Sequence, residues 1–195
     1  MSAPRAGRRN GLPPIVAPEA RLLILGSFPG EASLAAARYY AHPRNQFWRL
    51  VGDVLDEPLH DLAYADRLAR LCARRIALWD TFVACRREGS LDAAIRDPVR
   101  GEIATITRAA PQLAIVAFNG TTAAKAAPAW AATGFATVVL PSSSPAHTLA
   151  FERKCYAWRA LREWLWPSAP DGASAVAGPV RRAGAGLGPG RRDMG

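Results

Sequence analysis

Four short apolar runs decide what this chain can fold into: Leu22-Leu23-Ile24-Leu25, Ile76-Ala77-Leu78-Trp79, Leu113-Ala114-Ile115-Val116-Ala117-Phe118 and Ala136-Thr137-Val138-Val139-Leu140. Each has the length of a strand and barely alternates polar with apolar residues. Such runs suit strands buried on both faces, as inside a parallel sheet. Between them the period changes. Phe47, Leu50, Val51, Val54 and Leu55 recur at i, i+3, i+4, i+7 and i+8, the stripe of an amphipathic helix. Further helices are predicted over Tyr64 to Arg75, Glu102 to Ala110 before Pro111, Thr121 to Ala127 with Thr121 as a plausible cap, and Phe151 to Trp166 before Pro167. Strand–helix alternation predicts an α/β fold of three α/β/α layers around a central, mainly parallel four-stranded sheet. Right-handed crossovers gather all strand carboxyl ends at one edge, where such sheets bind ligands. The runs end at Gly26, Asp80, Asn119-Gly120 and Pro141, so the residues just after them are the candidates for chemistry.

With 195 residues, half of them hydrophobic, the chain suits one domain with its own core. The ends differ from the middle. Residues 1–18 hold Arg5, Arg8 and Arg9 with no acid, and residues 168–195 are mostly Gly, Ala, Pro and Arg. Neither has apolar periodicity, so a flexible basic N-terminal segment (1–18) and a disordered tail (168–195) are expected to flank a folded domain over 19–167. The net charge is +9, and only Lys125 and Lys154 among the 25 basic residues are lysines. Arginine offers a planar, always-charged fork that suits phosphate, although GC-rich coding also favours Arg and Ala. No apolar run reaches the roughly 18 residues of a membrane span. Met1 to Ala20 lacks the apolar stretch of a secretory signal. Three cysteines without a CxxC pair argue against a disulfide framework, a zinc finger or an iron–sulfur cluster. A reducing cytoplasm is the simplest setting.

Three segments carry the candidate chemistry. Gly26-Ser27-Phe28-Pro29-Gly30 is a tight turn after the first strand, where glycines allow a ligand close to backbone N–H groups. It is neither GxxxxGK[ST] nor GxGxxG, so nucleoside-triphosphate and dinucleotide binding lose their usual support. A purely structural βα turn reads the same. Tyr39-Tyr40-Ala41-His42-Pro43-Arg44-Asn45-Gln46-Phe47-Trp48 gathers four aromatics, an amide and a pre-proline His. Phe47 and Trp48 fit the helix stripe as core. Tyr40 lies before it and is free to stack on a planar base, a contact worth roughly 1–3 kcal/mol. Asn45 reads either as an N-cap or as an amide that holds a water. In Pro141-Ser142-Ser143-Ser144-Pro145-Ala146-His147, three serines between prolines make a stiff polar turn suited to pinching a phosphate backbone, with His147 closing it.

Together, GSFPG at 26–30, YYAHPRNQFW at 39–48, ALWD at 77–80, GSLD at 89–92 and PSSSPAH at 141–147 resemble the uracil-DNA glycosylase superfamily. They are nearest to its hypoxanthine-DNA (deoxyinosine) glycosylase branch, beside the mismatch-specific uracil glycosylases. The resemblance spans roughly 20–166. It implies a monofunctional enzyme of base excision repair that flips a deaminated base, hypoxanthine or also uracil, out of DNA and hydrolyses its N-glycosidic bond. It implies no metal and no redox cofactor.

Residue roles follow from the resemblance alone. In the mismatch-specific relatives the first turn reads GINPG and its Asn positions the attacking water. Phe28 stands at that place here, a departure that sets aside uracil excision by that route. The Asn of HPxN matches Asn45, expected to be catalytic; His147, also expected to be catalytic, matches with the serine loop the second motif, which presses the DNA backbone and supports the departing base. Tyr40 matches the aromatic that stacks on the base. Gly26, Ser27, Phe28, Pro29 and Gly30 line the base pocket, with Asn119 placed to present an amide to the base edge. Ser142, Ser143, Ser144 and Pro145 press the DNA backbone. Asp80 reads either as a supporting carboxylate or, by slight preference, as a cap of the next segment; His42 is a supporting residue. No lysine lies within the motifs, which argues against a Schiff-base lyase. The expected partner is DNA bearing deaminated bases, with no membrane, engaged by a monomer. Two other readings stay open: a DNA-binding module that has lost turnover, and an unrelated doubly wound enzyme acting on a small nucleotide.

Overall fold

The computed structural model describes residues 7–166. The elements run β1 (Arg8–Asn10), β2 (Leu22–Gly26), α1 (Glu31–Ala36), α2 (Phe47–Leu55), α3 (Tyr64–Ala73), β3 (Ile76–Asp80), β4 (Phe82–Arg86), β5 (Arg96–Arg100), α4 (Ile103–Ala109), β6 (Ile115–Asn119), α5 (Thr121–Ala124), α6 (Ala127–Ala132), β7 (Ala136–Leu140), α7 (Phe151–Trp158) and α8 (Arg162–Leu165). The four apolar runs form one parallel sheet in the order β3-β2-β6-β7.

Successive side chains of these strands enter opposite layers, as the pleat requires. Leu22 and Ile24 join Ile76, Leu78, Ile115 and Ala117 against Phe47, Leu50, Val54, Leu71 and Trp158 of α2, α3 and α7. Leu23 and Leu25 join Ala77, Val116 and Phe118 against Ile106, Ala123 and Trp130 of α4, α5 and α6. Both faces of β2, β3 and β6 are therefore dry, which is why their runs carry no alternation, while the edge strand β7 leaves Thr137 and Val139 exposed. An exposed bidentate pair, Arg159 to Asp53, links the ends of α7 and α2.

Three expectations change. First, residues 8–18 are packed. Arg8–Asn10 pairs antiparallel with Ala84–Arg86, Ile15 forms a two-way backbone bridge to Leu78 at 2.8 Å, and Leu12, Ile15 and Val16 lean on the two cores. Pro13 and Pro14 hide this from a periodicity reading because they break any repeat. Residues 1–6 and 167–195, and with them the tail expected over 168–195, lie outside the described residues.

Second, β4 and β5 add a small antiparallel sheet in the order β1-β4-β5. Its strand β5, Arg-Asp-Pro-Val-Arg, is exposed along its whole length, so it offers no apolar signature. Third, the helix after β6 breaks in two around Ala126, and Thr121 does not cap it. Gly120, at φ +96°, occupies the N-cap without any side-chain cap bond. That φ is costly for L side chains, and a Cβ there would also stand 3.0 Å from Ser142 Cβ.

Candidate active site

The chain leaves β2 for β3 on one side and later returns to pair β6 on the other. The order thus reverses about β2, and the crevice between the carboxyl ends of β2 and β6 is where such sheets receive ligands. A pocket of about 420 Å³ opens there, within the roughly 300–1,000 Å³ range of ligand sites. The turn 26–30, Tyr40, Asn45, Asp80, Asn119, and the loop from Ser142 to His147 all line it.

Its floor is built around the missing side chain of Gly26. A Cβ on that residue would stand 2.2 Å from Asp80 Oδ1 and 3.0 Å from the Tyr40 hydroxyl. The absence of a side chain therefore lets a carboxyl and a phenol close over the end of β2. Asp80 is the last residue of β3 and only 4 % exposed. Its Oδ2 is buried without a hydrogen-bond partner among the described residues. Burial, and then the neighbouring Asp92 carboxylate, push its pKa up to about 7, against a smaller opposing pull from Arg87. Among the described residues its carboxyl accepts no backbone N–H, so it does not cap the segment after β3. Tyr40 adopts φ +52°, a strained conformation for a bulky residue, and its ring lies on Phe47 at 3.8 Å and 12°. Burial and the nearby Asp80 raise its pKa well above the usual phenol range, so it stays a neutral phenol.

Asn119 clamps the wall. Its Nδ2 donates to the Tyr40 hydroxyl at 3.0 Å and to Ser143 Oγ at 2.8 Å. Its Oδ1 accepts from the Ser143 N–H at 2.8 Å, which fixes the amide orientation because an N–H can only donate. Ser143 is 1 % exposed, and its carbonyl accepts from the Gln46 N–H at 3.0 Å. The serine loop is thereby locked to β6 and to the residue after Asn45. Ser143 is thus a buried strut of the loop, and Ser142, Ser143, Ser144 and Pro145 all line the pocket wall.

Lys154 reinforces the same junction. It is 1 % exposed, and its Nζ donates to Gln46 Oε1 at 2.9 Å and to the His147 carbonyl at 2.8 Å. Desolvation lowers its pKa. A lysine therefore does stand beneath both motifs in space, but its ammonium is turned into the protein and Lys154 does not line the pocket.

Asn45 stands half-buried at the rim. Its Oδ1 accepts from the Phe47 N–H at 3.0 Å, so it caps the start of α2 through its side chain while Gln46 takes the N-cap backbone position. Its Nδ2 makes no hydrogen bond among the described residues, and Asn45 also lines a neighbouring depression of about 580 Å³. The capping contact thus uses the oxygen of Asn45 and leaves its Nδ2 free among the described residues. His42 Nδ1 accepts from the Arg44 N–H at 3.1 Å, which stiffens the HPxN turn. His147 is exposed at the end of the serine loop and lines the pocket.

The family model of the uracil DNA glycosylase superfamily matches residues 13–165. The chain belongs to this superfamily. Among its relatives, a protein named hypoxanthine DNA glycosylase from Methanosarcina barkeri is 37% identical over 151 residues, which is 77% of this chain and 96% of the relative. Another of the same name, from Methanosarcina acetivorans, is 38% identical over 153 residues, 78% of this chain and 97% of the relative. The solution NMR structure of a Methanosarcina acetivorans protein, described as a candidate uracil DNA glycosylase, superposes with a TM-score of 0.75 at 37% identity. That match covers 82% of this chain and 99% of the other.

Within this glycosylase fold, the pocket and its support also involve residues that sequence reasoning did not single out. Asp92, from the GSLD segment, accepts the Ser27 hydroxyl at 2.7 Å and adds a second carboxylate to the wall. Arg87 is 1 % exposed, stacks over Phe28 at 4.9 Å and donates to the Phe28 and Pro29 carbonyls, so it holds the GSFPG turn from behind. Phe28 itself turns into a small core with Phe82 and Cys85, away from any part in holding water. Asp92 had a signal, the GSLD motif; Arg87, in a run of charges at 86–88, had none.

Proposed function

We propose that this protein is a monofunctional DNA glycosylase of base excision repair. It binds DNA carrying a deaminated base, hypoxanthine by preference and uracil as a further candidate, swings that nucleotide out of the helix, and hydrolyses its N-glycosidic bond to leave an abasic site. The observation that carries this reading is the convergence of Asn45, Tyr40 and Asp80 on one pocket at the sheet's switch point, in a chain whose relatives are named hypoxanthine DNA glycosylase.

The chemistry suits these side chains. A stacked base is out of reach, so extrusion comes first and costs a few kcal/mol, less for a poorly paired base such as hypoxanthine opposite thymine. The extruded base lies against Tyr40, whose ring is stiffened by Phe47 beneath it. Breaking the bond places positive charge on the sugar and negative charge on the base. Asn45 cannot deprotonate water, but it orients one toward C1′ from the rim through its unused amide. His147 stands at the same rim and, in this reading, supports the departing base. The neighbouring depression carries Arg38, Arg49 and Arg67 with no carboxylate in its lining, a lining that favours a polyanion, while Ser142, Ser144 and Pro145 meet the backbone on the other side. The ammonium of Lys154 is committed to Gln46 and His147, and among the described residues no lysine lines the pocket for a Schiff base, in keeping with simple hydrolysis. We further infer a cytoplasmic monomer.

The test is excision. Purified protein should release hypoxanthine from an inosine-containing oligonucleotide and leave an alkali-labile site. Asn45→Ala should remove that release while keeping salt-sensitive DNA binding. Full activity in the variant would remove Asn45 from the mechanism.

A further inference from the structure

The base edge needs a partner on the pocket floor, and the hydrogen-bond inventory says which group is free to be one. Asn119, the amide placed there by the resemblance, has both Nδ2 protons committed to Tyr40 and Ser143 and its oxygen committed to the Ser143 N–H. Asp92 already holds the Ser27 hydroxyl. Asp80 is different: it is more than nine-tenths buried, lines the pocket, and has no hydrogen-bond partner on either carboxyl oxygen among the described residues, Oδ2 being the more deeply buried of the two. A buried carboxyl without a partner is costly, and such costs persist where a ligand supplies the missing bond.

We propose that Asp80 is the acid that recognises and protonates the leaving base. In its neutral form the Asp80 carboxyl donates a hydrogen bond to a ring nitrogen of the flipped oxopurine. As the C1′–N9 bond breaks, its electron pair goes to the base and the Asp80 proton passes to that ring nitrogen, so hypoxanthine departs neutral. Water adds to C1′, and the proton it loses restores Asp80. The step needs no other reactant. It rests on the glycosylase reading above and deepens it by naming the group that takes the base edge.

The surroundings keep Asp80 protonated near neutral pH. The groups that face it are Asp92 from the short turn after β4, Arg87 from the end of β4, and Tyr39 and Tyr40 from the loop before α2; His42 and His147 share the pocket. Both tyrosines are held as neutral phenols by burial. Burial and the Asp92 charge favour the acid form of Asp80, and Arg87, engaged by the turn carbonyls, opposes them only in part. A general acid acts best with a pKa near the working pH.

The experiment is single-turnover excision of hypoxanthine by the full chain between pH 5.5 and 8.5. Wild type should hold a plateau at low pH and then lose about tenfold per unit above about 7, the value at which Asp80 ionises. Asp80→Asn should lose roughly a hundredfold or more at pH 6, the usual worth of general acid catalysis, and its residual rate should lack the alkaline limb. Asp92→Asn removes a charge that raises the Asp80 pKa, so its limb should move to lower pH. Thermal unfolding at pH 8 checks that Asp80→Asn remains folded. A flat wild-type profile, an Asp80→Asn variant that keeps the limb or excises within about threefold of wild type, or an unmoved limb in Asp92→Asn would each overturn the proposal while leaving the glycosylase reading intact. Absence of hypoxanthine release by wild type at every pH would overturn that reading itself.

Discussion

Replacing Asp80 with Asn should make the protein more stable at pH 8. The carboxyl is 4 % exposed, has an unpartnered oxygen, and titrates at about 7 in the fold against an ordinary 3.8. The folded state therefore binds the extra proton between those two values. Stability falls as pH rises through that window and is lowest, with respect to this group, above about 7. A shift of about three units corresponds to about 4 kcal/mol, and water entry into the pocket reduces it, so a gain of about 2–4 kcal/mol is expected from the neutral isostere at pH 8. For a domain of this size that is about 4–16 °C in melting temperature. At pH 4 both proteins carry a neutral group there, and the gain should shrink to under about 1 kcal/mol. Urea unfolding of wild type and Asp80→Asn at both pH values measures the difference directly. Equal stability at pH 8, or a gain that does not depend on pH, would refute the claim that a buried carboxyl is held against its preference. Excision and stability are expected to move in opposite directions in this variant, the trade-off of a site built for function.

Two other substitutions test the frame of the pocket. Lys154→Met removes two charged hydrogen bonds that join the Asn45 and His147 loops. Each is worth about 1.5–3 kcal/mol gross, partly offset by freeing a desolvated cation, so a net loss of about 1–3 kcal/mol should appear in denaturant unfolding. Excision should fall at least tenfold, and Lys154→Arg, larger in a fully buried site, should not restore it. Gly26→Ala places a Cβ 2.2 Å from Asp80 Oδ1. It should displace the carboxyl and lower single-turnover excision by a hundredfold or more, with a smaller drop in melting temperature, because only side chains at the pocket have to move.

The parallel sheet was legible because three of its four strands are buried on both faces. Leu22–Leu25 and Ile76–Trp79 had to be continuously apolar to serve two cores. The same logic placed Gly26, Asp80 and Asn119 at one edge. The small antiparallel sheet was not legible. Strand β5 is exposed and β1 is three charged or polar residues followed by prolines, so neither has an apolar period to detect. Within the site, proximity was readable and hydrogen-bond allegiance was not. The strand ends put Asn119 and the serine loop at the same edge, but the mutual clamp of Asn119 and Ser143 depends on loop geometry set by Lys154 and Gln46, residues that no local pattern marks. Asp80 reads in sequence as an ordinary strand-ending cap. Only the emptiness left by Gly26 and the presence of Asp92 make it a buried acid.

The most direct test of the account is release of free hypoxanthine from an inosine-containing duplex, measured under single turnover for wild type and Asn45→Ala side by side. The account predicts release of the base with an intact abasic strand for wild type, and loss of release with retained binding for the variant. Intact substrate with wild type, or equal release by both proteins, would contradict it.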